Sequence, residues 1–237
     1  MRLAAAALAS LLAAPALAQD ANYRNCVDWV SADPSEALRQ AQSWEANGGG
    51  LAARHCKALA LAGMDDFAGA AAEAEAVANA TTDPMAQAEA LAQAAEFRMA
   101  TGDGYGALGL LDRALGLVPD EPLALDGRAR ARAATGDLAG ARADLDRLLT
   151  LQPGNAEALA LRAAARRQQG DKAGALSDAE AAVSADPGSA VAYFERGAAR
   201  AVSGDLAGAG DDWRQAMALE PYGPTAEMAQ ANLARLP

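Results

Sequence analysis

The sequence predicts an all-α fold: an α-solenoid of stacked antiparallel helix hairpins. Three sets of columns carry that prediction. Pro119, Pro153, Pro187 and Pro221 follow one another at steps of 34 residues. Gly-Asp pairs keep the same step at Gly102-Asp103, Gly136-Asp137, Gly170-Asp171 and Gly204-Asp205. Small residues hold the register twice, as Ala107, Ala141, Ala175 and Ala209, and as Ala95, Ala129, Ala163 and Gly197. A fixed period of this length marks a repeat array whose unit is a single supersecondary motif.

Each period describes the same object. An apolar-periodic run is followed by Gly-Asp, then a second run, then Pro. Gly suits the left-handed end of a helix and Asp caps the next one. Pro closes the second run because it cannot continue a helix. Small residues let the two helices approach closely. Composition agrees: the chain is 52% hydrophobic but 4% aromatic, so Ala and Leu must form the core. That suits packed helices better than a β-sandwich, which favours β-branched and aromatic residues.

Taken in order, residues 1–18 read as a secretory signal peptide. Arg2 gives a positive start, Leu3 to Ala14 is an apolar run broken only by Ser10, and Ala16-Leu17-Ala18 offers a cleavage pattern before Gln19. Cleavage is expected after Ala18, which places the protein in the periplasm or outside the cell. The run is too short to span a bilayer, which takes about 20 residues, so no stable membrane insertion is expected once the leader is removed. Residues 19–33 read as an irregular segment carrying Tyr23, Cys26 and Trp29. Asp33-Pro34 opens a helix, with Glu36 three residues after the cap. It is expected to stop at Asn47-Gly48-Gly49-Gly50.

Residues 34–87 then form an N-terminal cap with a diverged repeat, because Asp66-Phe67-Ala68-Gly69-Ala70 echoes Asp137-Leu138-Ala139-Gly140-Ala141. Terminal repeats are atypical because one face lacks a neighbour. Cys26 and Cys56 are the only cysteines, and an even count in an exported chain points to a disulfide. Closing a loop of that size contributes roughly 3–4 kcal/mol in the chain-entropy view. The alternative is two free thiols, with Cys56 paired to His55. Adjacent residues on a helix face different ways, so His55, the only histidine, reads as a surface or packing residue.

The regular repeats are 88–121, 122–155, 156–189 and 190–223, closed by a capping helix in 224–237 that begins at Pro224. Met228 and Leu233 are expected to pack inward, and Glu227, Gln230, Asn232 and Arg235 to face water. Two arginine columns run through the array. One is Arg98, Arg132, Arg166 and Arg200; the other is Arg128, Arg162 and Arg196. Sixteen residues after each of the second set stands Asp144, Asp178 or Asp212, whereas Ala94 is followed at that distance by Leu110. Arg and Asp therefore appear and disappear together. That pattern predicts an ion pair between the two helices of a repeat, which Arg can make bidentate. An exposed ladder of such pairs would add little to stability.

These columns resemble the tetratricopeptide repeat family, most explicitly in AEALALRAAARRQQGDKAGALSDAEAAVSADP, from Ala156 to Pro187, and over Ala88 to Pro221 as a whole. The resemblance implies a superhelix with a concave groove lined by the first helix of each repeat. Its lining would include Leu123, Asp126, Arg130, Glu157, Leu161, Arg167, Val191 and Phe194. Phe194 is the only aromatic of the set, so it is either the anchor for a partner, as aromatics dominate hot spots, or a residue that packs on a neighbouring helix. Relatives that clamp a carboxylate tail use Lys and Asn, where this chain has Ala92, Asp126, Ala160 and Phe194; that activity is not expected. The chain also departs from the pattern at Ala179, where other repeats have Leu111, Leu145 and Trp213, and at Leu148, where they have Ala114, Ala182 and Ala216.

Chemistry is sparse. No Cys/His cluster suggests zinc. Gly102-Asp103-Gly104 is a turn and not a phosphate loop, for no Lys-Ser/Thr ending follows. Ser43, Ser177, Ser184 and Ser203 have no nearby base in the sequence. Neither an enzyme nor a cofactor is expected. A net charge of −11 disfavours nucleic acid, whose binding needs surplus cations. The expected function is an exported protein–protein interaction module that takes a peptide or helix of a partner in its groove. The alternative is an assembly factor or scaffold subunit in envelope biogenesis, whether of the outer membrane, division or cytochrome maturation.

Overall fold

The computed structural model describes residues 21–236, so the leader read at 1–18 lies outside the described residues. Among the described residues the fold is all-α, with thirteen helices and no strand. They are α1 (Ala21–Ala32), α2 (Pro34–Ala46), α3 (Gly50–Gly63), α4 (Phe67–Ala80), α5 (Pro84–Ala100), α6 (Gly104–Leu117) and α7 (Pro122–Thr135). There follow α8 (Leu138–Leu151), α9 (Ala156–Gln168), α10 (Lys172–Ala185), α11 (Ala190–Ser203), α12 (Leu206–Leu219) and α13 (Pro224–Leu233).

The segment expected to be irregular is largely the helix α1. Its polar majority hides a short apolar stripe: Tyr23, Cys26 and Val30 are its buried residues, spaced so that they share one helix face. Tertiary packing of that stripe holds a helix whose own sequence is weakly patterned.

The turns explain the Gly-Asp columns atom by atom. Gly102, Gly136, Gly170 and Gly204 all sit at positive φ, between 83° and 94°, where a Cβ is costly. Asp103, Asp137, Asp171 and Asp205 then cap the following helices, each accepting from the backbone N–H three residues on at 2.8 or 2.9 Å. That third residue is always glycine: Gly106, Gly140, Gly174 and Gly208. A Cβ there would collide with the capping carboxylate. The same cap recurs between Asp66 and Gly69. The left-handed place before it is taken by Asp65, at φ 62°, one of the few side chains that tolerates it. The repeat that diverges in sequence thus keeps the turn geometry.

The described residues divide into two compact units, 21–131 and 132–236. In the first, α1 packs on α2 and α3, and each helix from α2 to α5 packs on the next. Its core includes Leu59, Leu91, Phe97 and Leu111, all nearly sealed from water. In the second unit α8 packs on α9, the helices from α9 to α13 pack consecutively, and α9 also touches α11. Alanines do much of this packing: Ala163, Ala175, Ala179 and Ala199 form one buried cluster. Ala179 therefore sits where α10 is held close, while Leu148 fills its own space on α8 as a fully buried residue. At the far end Phe194, Ala209, Trp213, Ala216 and Ala229 make another cluster. Gly197 leaves room there for the Trp213 indole, whose Nε1 a Cβ would meet at 2.7 Å.

The capping helix α13 buries Thr225, Ala226 and Ala229, and Leu233 packs against the end cluster. Met228 does not join them. It is 49% exposed, because it falls beside the stripe that faces α12.

Candidate functional site

The arginine columns resolve into a structural ladder. In the second unit Arg162 holds Asp178 with two bonds of 2.8 Å. Arg196 holds Asp212 in the same way, at 3.0 and 2.6 Å. The other arginine column converges on the same acids, a point the sequence reading missed. Arg132 reaches Asp144 at 2.7 Å, Arg166 reaches Asp178 at 2.9 Å and Arg200 reaches Asp212 at 2.9 Å. Each of these arginines stands 12 residues before its acid, so a constant offset was available as a signal.

The ladder also links hairpins. Arg162 donates to Asp146 at 2.8 Å, and in the first unit Arg128 donates to Asp112 at 2.8 Å, both 16 residues back. Arg98, whose repeat has Leu110 in place of the acid, turns to Glu75 at 2.6 Å and Asp103 at 3.2 Å. The expectation of an exposed ladder is corrected: Asp144, Asp178 and Asp212 are 4%, 5% and 3% exposed. A carboxylate removed from water needs such partners. These arginines are therefore committed to the fold.

The eight residues proposed for the groove have different surroundings. In the first unit Leu123 is half-buried on α7, and Arg130 pairs with Asp126 one turn away at 2.7 Å. In the second unit α9 carries exposed Glu157, half-buried Leu161 and Arg167, and α11 carries Val191, which is 41% exposed. Arg167 bridges the two helices by an ion pair with Glu195 at 3.2 Å. Burial pushes the Glu195 carboxyl above the usual range, with Arg167 pulling the other way. The Nε of Arg167 is buried without a hydrogen-bond partner. Glu195 was not among the eight, although it stands 34 residues after Leu161 and so occupies the same column. Phe194 belongs to the end cluster, 9% exposed, and its carbonyl accepts from Trp213 Nε1 at 3.2 Å. That is the packing role of the two weighed for it.

The first unit holds a buried polar relay beside its disulfide. Cys26 on α1 is bonded to Cys56 on α3, with Cα atoms 6.0 Å apart. One residue away, His55 is 2% exposed. Its Nδ1 lies 2.8 Å from the Tyr23 hydroxyl and its Nε2 lies 2.9 Å from Gln93 Oε1. Because Gln93 Oε1 can only accept, Nε2 carries the proton and Tyr23 donates to Nδ1. Burial lowers His55 to about 4, against the bond to Gln93, and pushes Tyr23 up to about 12. A neutral imidazole thus joins α1, α3 and α5, so that of the surface and packing roles open to His55 it takes the second. Among the described residues no group of three or more His, Cys, Asp or Glu could hold a metal ion. No described helix is long and apolar enough to cross a membrane.

Helical hairpins with a Gly-Asp turn, small residues at the crossing and consecutive packing define the tetratricopeptide-repeat fold, and known structures agree. A repeat protein from Parabacteroides merdae ATCC 43184 superposes with a TM-score of 0.68 at 17% identity, covering 92% of this chain and 85% of that one. A thermophilic repeat protein of Thermus thermophilus gives a TM-score of 0.64 at 16% identity over 76% of this chain and 97% of its own. YrrB, a repeat protein with an unusual peptide-binding site, gives 0.55 at 19% identity over 80% and 96%. At these identities the likeness is one of fold. No protein-family model matches the sequence, and no curated protein does.

Proposed function

We propose that the chain is a non-enzymatic protein–protein interaction module and that the first helices of its second unit, α9 and α11, receive a peptide or helix of a partner. The observation that carries this is the division of labour within those helices. Their arginine ladder is consumed by buried acids, whereas Val191 stays open to solvent, and Leu161 and Arg167 are half-exposed. Apolar side chains beside a charge make a mixed surface of the kind that peptides dock on. YrrB, described by its peptide-binding site, supports the reading by analogy of fold. Phe194, as a core residue, supports the surface from behind. Leu123, Asp126 and Arg130 extend the proposal to α7 as a surface of the first unit. The leader pattern at 1–18 and the Cys26–Cys56 bridge support export into an oxidising compartment.

A peptide-display selection on the full chain supplies ligands for the test. Their affinities are then compared for wild type, Leu161→Glu and Val191→Glu, with Tyr222→Ala, fully exposed elsewhere in that unit, as control. Loss of at least tenfold in the first two alone is the expected result. Equal affinities in all four proteins would refute the placement.

A further inference from the structure

The first unit carries a different kind of surface. Between α1 and α2 lies an open cleft of about 210 Å³. One face of α1 supplies Asn22, Asn25 and Trp29, α2 supplies Gln40 and Trp44, and the Cys26–Cys56 bridge lines it too. Two of the chain's three tryptophans and two of its six asparagines thus meet in one place. Core packing does not account for Trp29. The core is made of Ala and Leu, yet Trp29 is 44% exposed. The Trp44 ring is seated on Gly49, where a Cβ would stand 2.5 Å from the indole Cδ1. Gln40 donates its amide to Glu36 at 2.7 Å, which orients the side chain and leaves Oε1 to accept.

The lining selects a ligand class. None of its side chains is ionised, so a phosphate or carboxylate would find no countercharge. A helix, at about 10–12 Å across, is too wide. An extended proline-rich peptide advances about 3.1 Å per residue and needs a groove several residues long. A polyhydroxylated ring needs donors and acceptors together, which carboxamides provide, and a flat apolar face for its C–H groups, which indole provides. We propose that the α1–α2 cleft binds one ring of a neutral saccharide, with Trp29 and Trp44 as stacking surfaces and Asn25 and Gln40 as hydroxyl partners. This site is separate from the α9–α11 surface and does not depend on the protein-binding reading.

Tryptophan emission reports on it directly, since Trp213 is buried in the other unit. The full chain is titrated with the tetramers of N-acetylglucosamine, cellulose and amylose and with a proline decapeptide, and calorimetry repeats each titration in case emission is silent. The expected result is saturable binding of at least one saccharide, weakened tenfold or more in Trp29→Ala and several-fold in Gln40→Ala. Circular dichroism of both variants should match wild type; Asn25→Ala replaces either variant that does not. Absence of saturation with all three saccharides, undiminished binding in the variants, or binding of the proline peptide alone would each overturn the proposal.

Discussion

Asp212 lies between two guanidinium groups, those of Arg196 and Arg200, and is 3% exposed. Removing one member of such a group leaves the others buried with charge unbalanced, at a cost of about 3–5 kcal/mol. Asp212→Ala is therefore expected to lower the urea midpoint sharply, whereas Asp211→Ala, at the exposed Arg214 pair, should change the unfolding free energy by less than about 1 kcal/mol. His55 sets a pH dependence of its own. Its folded pKa of about 4 lies below the ordinary 6.5, so between these values the unfolded chain holds the proton and the folded chain does not. The stability due to the neutral ring is complete above pH 6.5 and is lost as pH falls toward 4, on the order of 3 kcal/mol in all. Urea titrations at pH 7 and pH 4.5 should show this slope in wild type and a shallower one in His55→Gln.

Among the elements, α1 depends most on anchors outside itself. Its first turn carries no acidic residue, and it is held by the Cys26–Cys56 bridge and by the Tyr23–His55 bond. Reduction of the bridge, which closes a loop of 30 residues, should remove roughly 3 kcal/mol. Hydrogen exchange would then show loss of protection concentrated in α1. If α2 and α3 lost protection to the same extent, α1 would have to be counted part of one cooperative block with them. The hairpin turns follow a different logic. Gly204→Ala places a Cβ at φ 94° and should cost about 1 kcal/mol. Gly208→Ala should cost at least as much by displacing the Asp205 cap. Thermal midpoints of the two variants check both values.

At the scale of the whole molecule, a chain with 31 acidic and 20 basic residues reaches its isoelectric point near 4.5. A minimum in solubility is expected there, measurable by light scattering, because mutual repulsion vanishes. It overlaps the pH range in which His55 titrates, so acid should both associate and loosen the protein. The repeat period, the hairpin turns and the closing prolines were legible in the sequence because they are local. A left-handed glycine, a capping aspartate and a helix-ending proline act within a few residues of one another, and the array copies them at a constant step. The Arg–Asp pairing was legible for a related reason, since repetition turns a contact between helices into a fixed offset.

Other features were decided only when helices met. The polar stretch with Tyr23, Cys26 and Val30 becomes α1 because α2 and α3 bury those three side chains. The burial of Asp144, Asp178 and Asp212, the seating of Phe194 against Trp213 and the outward turn of Met228 depend on neighbours far along the chain. So does the gathering of Trp29 and Trp44 on one cleft. Backbone geometry is set by nearest neighbours and repeats with them. Exposure, and with it what a surface can bind, is set by whichever helix arrives to cover or leave it open.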